Sequence, residues 1–177
     1  IRNIPLNGDL IKAVDLVVNC KGKVIASGMG KAGIIAKKVA STMSSTGTPS
    51  IFLHPGEAQH GDLGMLSKDD ILLLFSNSGK TRELIELVAL SNRLFNDKVH
   101  AISITANAES ELAQISDAVL CIGNVTEACS LGMAPTTSTT AMLAIGDVLS
   151  MLVMEEISFT KEDFLKRHHG GYLGTRK

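Results

Sequence analysis

The sequence has no tryptophan, one tyrosine and five phenylalanines. Surfaces that grip single-stranded nucleic acid stack bases on aromatic rings, and a chain this poor in them offers no such platform. Neither sign of charge dominates: 17 Lys and Arg stand against 18 Asp and Glu, a formal net charge of −1. That balance argues against nucleic acid and against an acidic membrane surface as partners. The cysteines, Cys20, Cys121 and Cys129, are odd in number and never spaced as CxxC. A disulfide framework and a zinc knuckle are thereby disfavoured, and a reducing, cytoplasmic compartment is expected. No signal peptide is visible at the start, which reads Ile1 rather than Met. The longest apolar stretch, Ala141 to Met154, falls short of a membrane span and carries Gly146, Asp147 and Ser150. It reads as a buried helix, with a subunit interface as a second use.

What is present suits one domain over residues 1–177, long enough to bury roughly 70% of its unfolded surface. Five short aliphatic runs have the length and content of buried strands: Lys23 to Ser27, Ser50 to Leu53, Ile71 to Phe75, Val99 to Thr105 and Ala118 to Ile122. Helical periodicity fills the gaps, at Lys31 to Met43, Thr81 to Phe95, Ser110 to Ile115 and about Thr139 to Glu156. A leading helix spans Leu6 to Val18, and a last one runs from the cap residue Thr160 to about His168. This alternation predicts an α/β three-layer αβα sandwich around a five-stranded parallel sheet. The expected strand order is the flavodoxin-like 2-1-3-4-5, with ligands at the carboxyl ends of the strands.

Two loops at those ends are suited to anions. Gly28-Met29-Gly30-Lys31-Ala32-Gly33 matches GxGxxG and opens a helix. A dinucleotide site would need a carboxylate after the second strand, which instead ends Phe52-Leu53-His54-Pro55. Two readings remain: an anion beside Lys31, or glycines that only permit a tight turn and close packing. The third strand runs into Ser76-Asn77-Ser78-Gly79-Lys80-Thr81. Hydroxyls, a glycine and the free amides of a helix N-terminus make a phosphate cradle. A Walker A loop would need glycine where Leu74 stands, so triphosphate hydrolysis is disfavoured. A turn rich in capping residues is the plain alternative. The later cluster Thr136-Thr137-Ser138-Thr139-Thr140 is either capping or a second lining of the same pocket.

The loop Ser76-Asn77-Ser78-Gly79 with Thr81 resembles the phosphate loop of the sugar isomerase (SIS) domain family. Further strings resemble its arabinose-5-phosphate isomerase branch: Ser45-Thr46-Gly47-Thr48-Pro49, His54-Pro55-Gly56-Glu57-Ala58 and His60-Gly61-Asp62-Leu63-Gly64-Met65. So do Glu127-Ala128-Cys129, Leu131-Gly132-Met133-Ala134-Pro135-Thr136, Phe159-Thr160, and His168 with Gly170-Gly171 and Leu173-Gly174. These strings cover nearly the whole chain in the family's order. The resemblance implies catalytic importance for Lys31, Glu83, Glu127 and His168, and substrate contact for Gly47, Thr48, His54 and His60. It implies no cofactor; zinc at His54 would be an inhibitor. A homodimer or homotetramer is expected, as is a small-molecule pentose phosphate as substrate. Two departures stand out. His169 follows His168 where the family has proline, and the regulatory CBS modules of many members do not follow Lys177, so the chain is a single-domain member or a fragment.

Aldose–ketose interconversion needs a base at carbon, an acid at oxygen and a fixed phosphate. Glu83, just past the phosphate loop, is assigned here as base from its position; Lys31, His60 and His168 are the acids or enediolate stabilisers. Each has a bland alternative. Glu83 would then be first-turn charge on a helix, Glu127 a solvated loop residue, His54 and His60 ordinary loop residues, and Cys129 a buried thiol rather than a nucleophile. The expected reaction links D-ribulose 5-phosphate and D-arabinose 5-phosphate and feeds Kdo synthesis for an envelope or capsule. The alternatives are a hexulose-phosphate isomerase or a non-catalytic sugar-phosphate sensor. Without regulatory modules, feedback would act at the site itself, and nucleotide-activated Kdo is the candidate, held by Lys31 and the histidines.

Overall fold

Strand β3 (Ile71–Phe75) lies at the centre of the sheet, and every residue in it is buried. Its odd residues face one helical layer and its even residues the other, as the period of two requires. A computed structural model describes residues 8–169. Around β3 are β1 (Val24–Gly28), β2 (Ser50–Phe52), β4 (His100–Thr105) and β5 (Ala118–Cys121). All pairs are parallel and the order is β2-β1-β3-β4-β5, as the sequence predicts.

On one face α1 (Gly8–Val18), α2 (Gly30–Ser45) and α6 (Thr137–Glu156) bury Val14, Met43 and Leu149 against Leu73, Phe75 and Ile104. On the other, α3 (Pro55–Ala58), α4 (Arg82–Phe95) and α5 (Glu111–Gln114) bury Leu84, Leu87 and Leu112 against Leu72 and Leu74. Each fully buried leucine contributes about 1.5–3 kcal/mol relative to an exposed one. The three layers are those expected. Helix α7 (Lys161–Arg167) closes the described chain under a capping box in which Thr160 and Asp163 bond reciprocally.

Three differences from the sequence reading have physical causes. Pro55–Ala58 forms a helical turn and Asp62–Met65 a 3-10 turn, both too short to show periodicity. Helix α6 begins at Thr137 rather than Thr139 because a residue outside it caps its end. With those residues included, its 20-residue length and composition would suffice to cross a membrane, contrary to the expectation. Its inner side, from Met142 to Val153, is instead buried in the core against α1 and α2. Residues Leu6 and Asn7 of the expected leading helix lie outside the described residues, as does the glycine-rich stretch from Gly170 to Gly174.

Candidate functional site

The sheet order reverses direction between β1 and β3, which opens a crevice at their carboxyl ends. A cleft of about 680 Å³ occupies it and gathers Lys31, Ser76, Asn77, Ser78, Thr81 and Glu127. These six, distant in sequence, are the predicted residues that the fold brings together. A second cleft of about 450 Å³ lies at the opposite, amino ends of the strands, where Lys68 pairs with Asp97 across it. It lacks a helix N-terminus or a hydroxyl-rich loop aimed inward.

The loop after β3 is held by its own hydroxyls. Ser76 is 2% exposed; its Oγ accepts from the Gly79 amide at 3.0 Å and lies 2.7 Å from Thr81 Oγ1. Ser76 therefore shapes the loop, while exposed Ser78 and Thr81, the residue before the first turn of α4, line the cleft. Gly79 sits at φ +64°, and a Cβ there would overlap Ser110 Oγ. Packing on Ser110, rather than approach of a ligand, requires this glycine. In the other loop a Cβ on Gly33 would strike the Gly28 carbonyl, so those two glycines serve strand–helix packing, while Met29, Lys31 and Ala32 line the cleft.

Two helix N-termini reach this cleft, and they differ. Thr136 makes no side-chain cap on α6; the Glu127 carboxylate takes its place. Glu127 Oε2 accepts from the amides of Thr136 and Thr137, each at 2.8 Å, and from Ser138 at 3.4 Å, while Oε1 accepts from Ser138 Oγ. The Ser138 hydroxyl, then the Thr136 amide, favour the charged form and lower the Glu127 pKa from 4.5 to about 2. Glu127 is thus a cap and not a solvated loop residue. By contrast, Thr81 makes no side-chain cap on α4, whose first amides stay open to an anion.

A depressed carboxylate pKa contributes stability above the unfolded value, and that stability is lost as pH falls toward the folded value. The melting-temperature gap between the parent and Glu127→Gln should therefore be widest above pH 4.5 and narrow toward pH 2. A gap that is constant with pH would show that Glu127 is not held as this cap.

The remaining predicted residues lie outside the cleft of one chain. Half-buried Glu83 is on the first turn of α4, two residues past Thr81. His60 follows Gln59, whose amide donates to Glu86 at 2.6 Å and ties that segment to α4. His54 borders a smaller hollow of about 220 Å³ with Gly28 and Lys37, and its Nδ1 is buried with no hydrogen-bond partner among the described residues. Among the described residues no group of three or more His, Cys, Asp or Glu gathers, at His54 or elsewhere. Gly47 and Thr48 are packing positions here: a Cβ on Gly47 would press into the Phe159 ring, and Thr48 is 9% exposed. His168 ends α7, with Nδ1 2.8 Å from the Phe164 carbonyl and its ring stacked at 3.8 Å on that of Phe164.

Cys129 departs from expectation. It is half-exposed, and its Sγ accepts from the Met133 and Ala134 amides, each at 3.3 Å; the Ala134 bond, then the Met133 bond, lower the thiol's pKa. Ser138 as the Glu127 partner was foreshadowed only by the hydroxyl cluster around it.

Residues 17–152 match the model of the SIS domain. The chain is 47% identical over 171 residues to arabinose 5-phosphate isomerase KdsD of Pseudomonas aeruginosa, covering 97% of this chain and 52% of that protein. It spans about half the length of the curated relatives it matches. A solved Bacteroides fragilis chain, described as a phosphosugar isomerase involved in capsule formation, is 54% identical with a TM-score of 0.93, covering 97% of this chain and 91% of that one. A solved chain from Escherichia coli CFT073 in complex with arabinose 5-phosphate is 40% identical with a TM-score of 0.78, covering 90% and 92%.

Proposed function

Because the chain belongs to the SIS-domain family, we propose that it is an aldose–ketose isomerase that interconverts D-arabinose 5-phosphate and D-ribulose 5-phosphate. The observation that carries this reading is the pairing, in one cleft, of Lys31 with a phosphate loop whose helix N-terminus is uncapped by any side chain of its own. A phosphate dianion seats on the first turn of α4, where the amides and the hydroxyls of Ser78 and Thr81 donate to it. Lys31, across the cleft, stabilises the oxyanion of an enediolate, and Glu83 moves the proton between adjacent carbons. His168 acts at the sugar oxygens from a neighbouring subunit, since it lies outside the cleft of its own chain. The names of the matched relatives favour the five-carbon substrate over a six-carbon one.

The same reading places the protein in the cytoplasm, supplies Kdo synthesis, and leaves nucleotide-activated Kdo as a competitor for the cleft. Purified protein given either pentose phosphate should yield the same equilibrium mixture of both. If neither substrate is converted, the reading is wrong and the family's sensor role takes its place.

The phosphate seat has its own test. In the variant Ser78→Ala, Thr81→Ala, substrate affinity should fall about tenfold per hydroxyl lost. Binding as tight as the parent's, measured by calorimetry, would move the phosphate elsewhere.

A further inference from the structure

The chain between β5 and α6, residues 122–136, has no regular secondary structure, yet it forms one wall of the cleft through Thr126, Glu127, Met133 and Pro135. Its tip is folded on itself: the Gly132 amide donates to the Cys129 carbonyl at 2.8 Å, and Met133 and Ala134 donate to the Cys129 sulfur. Leu131 and Met133 stay 77% and 76% exposed, so apolar burial does not hold this tip in place. Among the described residues, the hydrogen bonds that tie stretch 123–134 to the rest of the domain all end on the Glu127 carboxylate. We propose that Glu127 is a latch rather than a proton carrier, and that Ser138 is the positioning residue that sets the cleft wall through it; this rests on the isomerase reading above.

The geometry favours this role. Ser138 is 1% exposed, so its hydroxyl is desolvated and its alignment on Oε1 is not shared with water. The partner is the N-terminus of a 20-residue helix, whose open amides and dipole favour a fixed negative charge. Oε2 accepts from three amides and Oε1 from the Ser138 hydroxyl, so taking up a proton at Glu127 would weaken the bonds that hold the wall in place. A general base works best with a pKa near the operating pH, whereas every contact here drives the carboxyl toward the permanently charged form.

The test compares Ser138→Ala, Glu127→Gln and their combination in the full chain. If Glu127 is a latch, each single variant lowers kcat/KM by about tenfold, because Gln keeps one acceptor oxygen for the α6 amides. The double variant loses little more than the worse single, and the limbs of the pH–rate profile keep their positions. Amide exchange over residues 123–138 quickens in Ser138→Ala. The proposal is overturned if Glu127→Gln costs about 10²–10⁴-fold and removes a limb while Ser138→Ala retains the parental rate. Should the parent convert no pentose phosphate, the isomerase reading fails, and exchange alone decides the latch: unchanged protection in Ser138→Ala overturns it.

Discussion

Glu83→Gln is expected to lower kcat by about 10²–10⁴-fold with a smaller effect on substrate binding. Gln preserves the size and hydrogen-bonding reach of the side chain and removes only its capacity to take a proton. Glu83 is half-buried, and no hydrogen bond or salt bridge engages its carboxylate among the described residues. A carboxylate that holds no hydrogen bond is free to reach a substrate carbon, and this separates Glu83 from Glu127, whose oxygens accept from the first amides of α6 and from Ser138. Its place two residues past Thr81 puts it beside the proposed phosphate seat. Exchange of solvent deuterium into the substrate carbon should vanish in the same variant. If the residue is merely first-turn charge, the change costs a few tenths of a kcal/mol of stability and turnover stays parental.

The second large effect is a recovery. Chains carrying Glu83→Gln or His168→Ala should each be nearly inactive alone, yet mixing them through unfolding and refolding should restore about a quarter of parental activity. In a randomly mixed dimer about half the assemblies are hybrids, and each hybrid holds one site with an intact Glu83 from one chain and an intact His168 from the other. The structure supplies the motive. Of the predicted catalytic residues, His168 is the farthest in chain from the cleft, and it ends α7 stacked on Phe164 instead of lining the crevice. The exposed Val148 and Met151 on α6 give a second copy an apolar surface to cover. Recovery no larger than the two variants' separate activities, with hybrids demonstrated, would confine His168 to its own chain or remove it from the reaction.

Much of this architecture was legible in the linear sequence because its signals are local. A strand buried on both faces must be aliphatic throughout, so Ile71–Phe75 announces itself, and βαβ alternation leaves few topologies. Lys31 and the segment from Ser76 to Thr81 were readable for the same reason: each follows a strand and opens a helix, which places it at the carboxyl edge. Hydroxyl content alone did not reveal that Ser76 faces its own loop, nor that Gly79 is demanded by Ser110, 31 positions later, because both depend on contacts between separate segments.

The sequence by itself determined the sheet, its order and the location of the proposed phosphate loop, through periodicities and turn chemistry that act within a few residues. Only the tertiary structure decided which charged groups are free to react. It folds Glu127 onto the amides of a helix that begins ten residues later, leaves the Glu83 carboxylate without a hydrogen bond among the described residues, and sets His168 at the end of α7 away from the cleft. The physical reason is that a carboxylate's chemistry depends on the donors around it, and those donors are brought together by packing rather than by spacing along the chain.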